Sequence, residues 1–290
     1  MKAFVFFVFY FLLASLIAAV ISYPLFSFFD NGSYRFERWV TRAALLSLFL
    51  GLFVCFKLFG LSFHSLGYNT QFRCFVKKAF IGFLVGLAPL LLITSILFLL
   101  DIRLISPDNE LSILFFTKVL LAGITVALIE ETLFRGLFFK ITMRWHQPAI
   151  AVFISSLFYS SLHFIKPSTS IDPHTLTLFS GIEVMSSAFF ALSELRPDDF
   201  LALFSVGVLL ALVRYRAKTL AYCIGMHASW IFLLKTTKEI SFSNPASKFS
   251  ILVGEYDGII GWLSFSALTL TSIIYYLYTL RVKSPLKSVT

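Results

Sequence analysis

Runs of apolar residues long enough to cross a bilayer recur along this chain, and such runs leave the backbone little choice. The first begins at Ala3, after a single Lys2, and extends to about Ile21. In hydrocarbon a peptide group finds no water, so a crossing segment closes its own hydrogen bonds, as a helix of roughly 20 residues. The run exceeds the roughly 7–15 apolar residues of a signal peptide, and Ser22-Tyr-Pro24 is a poor cleavage site, so it reads as a first span. With 58% hydrophobic and only 13% charged residues, the composition excludes an ordinary soluble domain. A chain of 290 residues has room for seven or eight spans joined by short loops.

The expected fold is therefore all-α, a polytopic transmembrane helical bundle of about eight spans forming one membrane domain, 1–290. Spans are expected at about 3–22, 42–60, 79–100, 111–139, 148–164, 199–215, 218–235 and 258–280. Asp30-Asn-Gly32 is a turn signal, 61–79 reads as a loop plus an interfacial helix, and a short basic tail ends the chain. The segment 165–198 is the longest region that does not span. Its apolar stretch, Ile182 to Leu195, is too short to cross and is expected to lie in the interface or re-enter.

The net charge is +9, which on a soluble protein would suggest nucleic acid. Here the basic residues sit in the loops, so anionic lipid headgroups and topology account for them, and no nucleic acid partner is expected. With eight spans, the loops at 61–79, 140–147 and 214–218 share one side with both termini. Their excess of Lys and Arg places that side in the cytoplasm, although Arg35, Arg38 and Arg42 argue the other way. The expected location is a multi-pass integral membrane protein, in the inner or plasma membrane if the source is bacterial. Cys55, Cys74 and Cys223 show no CxxC spacing and read as small buried hydrophobes.

Against this apolar background, Ala127-Leu-Ile-Glu-Glu-Thr-Leu-Phe-Arg-Gly-Leu-Phe-Phe139 places two carboxylates and an arginine near the far end of the fourth span. Each costs roughly 2.5–3.5 kcal/mol on insertion scales. On a helix Glu131 and Arg135 are an i,i+4 pair that can neutralise each other. Glu130 is rotated about 100° from Glu131 and lacks that partner, which leaves it available for chemistry. The bland alternative makes all three buried packing groups or part of an ion path.

Two histidines share this depth. His163 follows Tyr159 by four residues and forms a polar stripe with Ser156 and Ser160, whereas His227 lies in Ile224-Gly-Met-His-Ala-Ser-Trp230, where Gly225 permits close helix packing. Ser155, Ser156, Ser160 and Ser161 alone would read as interhelical glue. A carboxylate with a histidine can activate a water as general base, and a second histidine can donate to an oxyanion, a set suited to peptide or ester hydrolysis. The same Glu130, His163 and His227 could instead hold zinc, although no HExxH gives that reading specific support. No GxSxG elbow marks a serine nucleophile.

Glu130-Glu131-Thr-Leu-Phe-Arg135 is an EExxxR motif, Tyr159-Ser-Ser-Leu-His163 is similar to FxxxH, and His227-Ala-Ser-Trp-Ile231 stands where HxxxN or HxxxD would. In that order the chain resembles the CPBP family of intramembrane proteases, which includes type II CAAX prenyl endopeptidases and bacteriocin-processing, Abi-like proteins. The resemblance covers about 115–235, a catalytic core within the membrane domain. It implies motif-bearing helices around a membrane-embedded cavity open to the cytoplasm, and a membrane-anchored protein or peptide as substrate. By analogy Glu130 is the general base, His163 helps to activate the water, His227 stabilises the oxyanion, and Glu131 with Arg135 holds the motif helix. Members have been described as metalloproteases and as glutamic proteases. The metal-free form with no cofactor is favoured here, with zinc on Glu130, His163 and His227 as the alternative.

Two positions depart from the family pattern. Tyr159 for Phe is mild, but Ile231 removes an amide donor, which leaves Ser229 or Tyr159 to replace it. The rival reading is a catalytically impaired relative acting as a binding or bacteriocin-immunity protein. A transporter or proton relay ranks third, since no paired inverted repeats are visible.

Overall fold

A computed structural model of the chain describes residues 2–30, 34–107 and 111–281. The turn signal at 31–32 and the basic tail at 282–290 lie outside the described residues. In chain order, α1 (Lys2–Phe29) and α2 (Phe36–Phe59) form a helical hairpin. The one-turn α3 (Phe63–Leu66) leads into α4 (Phe72–Leu99), and β1 (Arg103–Ile105) follows. Next, α5 (Ile113–Glu131) runs through a π-helical segment, Thr132–Phe138, into α6 (Phe139–Trp145). The remaining elements are α7 (Pro148–His163), α8 (Ser180–Phe190), α9 (Pro197–Ala217), α10 (Ala221–Ile240), β2 (Ser241–Ser243) and α11 (Trp262–Arg281).

Every expected span is thus a helix. Six pass as membrane-crossing by length and apolarity among the described residues: α1, α2, α4, the continuous helix Ile113–Trp145, α9 and α11. The two that do not are α7, which is shorter, and α10, which ends in Lys235, Lys238 and Glu239. These two carry the histidines, and each buries one face against neighbouring helices, while Ile150 and Phe153 of α7 stay exposed. By contrast, Phe9, Leu16, Phe80, Leu121 and Ile274 are exposed on the outer helices, as suits a hydrocarbon surround.

Some boundaries differ from the expectation. α4 starts at Phe72, so Arg73 and Lys77 belong to its first two turns; nothing in that stretch breaks a helix, and their charges stay exposed. Cys74 sits on those turns and is exposed, whereas Cys55 and Cys223 are buried as expected. The fourth helix extends to Trp145, which puts Glu130 near the middle of its 33 residues rather than near an end. A small antiparallel ribbon joins β1 to β2, with Arg103 opposite Ser243. The buried Arg103 holds the ribbon by donating to the Ser241 side chain at 2.8 Å and to its carbonyl at 2.6 Å.

The tightest crossing in the bundle sets the position of α10. On α4, Gly82 and Gly86 face α10, and a Cβ on Gly225 would stand 1.9 Å from the Ala79 carbonyl oxygen. The indole nitrogen of Trp230 then donates to the Gly86 carbonyl at 2.7 Å. This is small-residue packing as membrane helices use it. Gly225→Val is expected to push the backbones apart, costing about 1–3 kcal/mol and displacing His227 two residues on. Thermal unfolding in detergent measures the first effect, and an unchanged midpoint would show that the crossing is slack.

Phe7 and Phe11 of α1 pack against Phe138 of the π-helical segment, with ring centroids 4.1 and 5.1 Å apart, and against Phe158 of α7. This aromatic cluster fastens the N-terminal hairpin to the helices that carry the ionisable groups. The serines of α7 act by size rather than as interhelical glue. The hydroxyls of Ser155 and Ser156 both donate to the Val152 carbonyl and that of Ser160 to the Ser156 carbonyl, all within their own helix.

Candidate active site

Glu130 and Glu131 are the last residues of α5 before its backbone widens into the π-helical segment. Such insertions occur mostly as single turns within α-helices, often at functional sites. Glu131 is completely buried, and its Oε1 accepts from Arg135 Nη1 at 3.0 Å and from His227 Nδ1 at 2.9 Å. The expected pair with Arg135 is present, and His227 joins it. Arg135 is equally buried; its Nη2 donates to the Gly207 carbonyl on α9 at 3.4 Å, and its guanidinium lies 4.2 Å above the Tyr159 ring. Three helices are therefore tied to one internal charge pair.

Glu130 points the other way, with its side chain 25% exposed. Its Oε2 stands 3.8 Å from His163 Nε2 and 3.8 Å from His227 Nε2. That is too long for a direct hydrogen bond and short enough for one water to bridge each pair. The other nitrogens decide the proton positions. His163 Nδ1 lies 2.6 Å from the Tyr159 carbonyl, which can only accept, and His227 Nδ1 meets the Glu131 carboxylate. Both Nδ1 atoms therefore carry hydrogen, and in the neutral rings both Nε2 atoms offer lone pairs toward Glu130.

The donor types are those of a zinc site, and partners on both Nδ1 atoms are what zinc-binding histidines usually have. The spacing is not. Ligands held at about 2.0–2.1 Å around a tetrahedral zinc lie about 3.3–3.4 Å from one another, against 3.8 Å here for both contacts. Among the described residues no group of three or more His, Cys, Asp or Glu is spaced for a metal ion. The set as arranged does not fit the ion.

Beside Glu130 and His163 opens a cavity of about 340 Å³ with mainly apolar walls from α1, α2, α5 and α8. The segment 165–198 contributes directly: Met185, Ala188 and Phe189 of α8 form one side. Its fold depends on α1 and α2, since Gly181 sits on the Ala19 carbonyl and the Ile171 amide donates to Glu37 at 2.8 Å.

Residues 112–233 match the Rce1-like family, type II CAAX prenyl endopeptidase Rce1-like. This match, over less than half of the chain, supports the CPBP/CAAX protease family. No curated protein matches the chain. Glu130, Glu131, Arg135, Tyr159, His163 and His227 all fall within the Rce1-like segment, and the match supports a membrane protease.

Tyr159 lies among these residues, its ring centroid 4.4 Å from that of His163 and 6.1 Å from that of His227. Ser229 does not join them. It is two residues from His227 on a helix and so faces elsewhere; its hydroxyl donates to the Met226 carbonyl at 2.7 Å and packs against Gly86 of α4. Ile231 packs on Gly123 of α5. Two further cavity residues carried no sequence signal: Lys166, just past α7, and Tyr256, outside the Rce1-like segment in the loop before α11.

Proposed function

We propose that this protein is an intramembrane endopeptidase that hydrolyses a peptide bond of a membrane-associated protein or peptide, with Glu130 as general base. The observation that carries this reading is the position of Glu130 Oε2, 3.8 Å from each of two histidine Nε2 atoms at the edge of an apolar cavity. A water there donates one hydrogen to the carboxylate and the other to His163 Nε2. As its oxygen bonds to the scissile carbonyl carbon, Glu130 takes its proton and the carbonyl electron pair moves onto oxygen. Collapse of the tetrahedral intermediate breaks the C–N bond, and protonated Glu130 returns the proton to the leaving nitrogen. Glu131 and Arg135 hold the motif helix and orient His227. His227 Nε2 donates to an oxyanion only when both ring nitrogens are protonated.

The apolar walls suit a substrate segment that arrives from the bilayer, and the reading places both termini in the cytoplasm. The test is cleavage of a panel of membrane-tethered peptides by purified protein, with and without a strong chelator. Activity retained in chelator, and lowered about 10²–10⁴-fold by His163→Ala with an unchanged unfolding midpoint, is the expected result. Chelator sensitivity would overturn the metal-free mechanism in favour of zinc.

One observation favours the catalytically impaired binding or immunity protein as a second reading: Ile231, packed on Gly123, offers no donor. Wild-type protein that binds peptides but cleaves none, with activity appearing in Ile231→Asn, would decide for it.

A further inference from the structure

Attack by water leaves a negative oxygen that needs a hydrogen-bond donor, and few groups in this site can serve. The neutral histidines present acceptors at Nε2, the side chain of Ile231 has no polar atom, and Ser229 faces α4. Among the hydroxyls of the cavity wall, Thr41 donates to the Arg38 carbonyl at 3.0 Å and Thr132 to the Leu128 carbonyl. Two hydroxyls on the wall make no hydrogen bond among the described residues, Ser15 of α1 and Tyr256.

Tyr256 is held as a positioned side chain is held. Its amide and that of Glu255 donate to Asp199 Oδ2 at 3.0 and 3.1 Å, and Asp257 Oδ1 accepts from the amides of Ile259 and Ile260 at 2.9 and 2.8 Å. Gly254 backs onto Asp199 so closely that a Cβ would stand 2.0 Å from Oδ1. The ring packs on Phe164 with centroids 5.3 Å apart, and Lys166 Nζ sits 3.5 Å above its face, within cation–π range. Phe164 and Lys166 directly follow His163, so the turn that ends α7 fixes the histidine and the phenol together. Burial, and then the charge of Asp257, push the phenol above its usual range, so it keeps its proton.

We propose that the Tyr256 hydroxyl is the hydrogen-bond donor to the oxyanion of the scissile carbonyl, with Lys166 and Asp199 as positioning residues. This rests on the hydrolytic reading above. Tyr256 keeps its proton throughout: the carbonyl electron pair moves onto oxygen, is stabilised by the phenol O–H, and returns as the C–N bond breaks.

The test measures kcat and KM on a cleaved membrane-tethered peptide for the full chain and for Tyr256→Phe, Lys166→Met, Ser15→Ala and Glu130→Gln. Phenylalanine preserves the ring between Phe164 and Lys166, so Tyr256→Phe is expected to fold and to lose about 10²–10³ in kcat, with KM changed less than about threefold. A kcat within threefold of wild type overturns the proposal, as does a loss in Ser15→Ala or Lys166→Met that Tyr256→Phe does not share. Activity surviving in Glu130→Gln overturns the Glu130-based mechanism on which the proposal rests, whereas an inactive Glu130→Gln beside an intact Tyr256→Phe overturns only the donor. A peptidyl phosphonate, compared with its parent peptide, reads the same contact without turnover. Tyr256→Phe should weaken the phosphonate at least about tenfold more than the parent, and equal weakening overturns the assignment.

Discussion

Glu130→Gln is expected to abolish cleavage while leaving the bundle folded. The substitution keeps the side chain's shape and its place 3.8 Å from both Nε2 atoms, but an amide cannot take a proton from water. Loss of a general base costs on the order of 10²–10⁴ in rate, enough to reduce turnover to background. Stability should change little, because Glu130 forms no ion pair with Lys or Arg among the described residues and its side chain is a quarter exposed. Turnover of a membrane-tethered peptide and the unfolding midpoint in detergent are the paired measurements. Cleavage at more than a tenth of the wild-type rate would remove Glu130 from the mechanism, and a large fall in midpoint would make it a structural group.

Arg135→Met is expected to produce the opposite pattern, a stability defect first and an activity defect as its consequence. Its charge neutralises a carboxylate with no exposed surface, and Arg135 is equally enclosed. Removing one partner of such a pair typically costs about 3–5 kcal/mol, because the other charge is left buried and unpaired. The variant also loses the bond to the Gly207 carbonyl and the cation above Tyr159. The double variant Glu131→Gln with Arg135→Met removes both charges and should recover part of that loss, since a glutamine oxygen still accepts from His227 Nδ1. Unfolding by heat or denaturant in detergent checks both variants. If Arg135→Met unfolds within about 1 kcal/mol of wild type, Glu131 is being neutralised in some other way.

The two variants separate roles that adjacent positions in the chain do not reveal. Glu130 and Glu131 are the same residue type on the same turn, yet one faces two histidine lone pairs across a gap and the other is fully enclosed. An offset of one residue on a helix changes direction by about 100°, so the difference could be anticipated from spacing. That His227 would be the second partner of Glu131 could not, because 96 residues separate them. The expectation for Ser229 failed for a related reason. Proximity to His227 in sequence says nothing of facing the same way, and the crossing of α4 at Gly86 takes that face of α10.

What the sequence determined by itself is what lipid demands. Apolar runs of bilayer length have one stable backbone, so the all-α bundle and the order of its helices could be read directly, and ionisable groups within those runs are costly enough to stand out. What only the tertiary structure decided is which atoms meet. The small-residue crossing of α4 and α10 sets the depth of His227, and the π-helical segment that follows Glu131 has no marker in composition. Tyr256 reaches the cavity through a loop folded around the buried Asp199 and the half-buried Asp257. These features depend on contacts between residues far apart in the chain, whose energies appear only once the helices have packed.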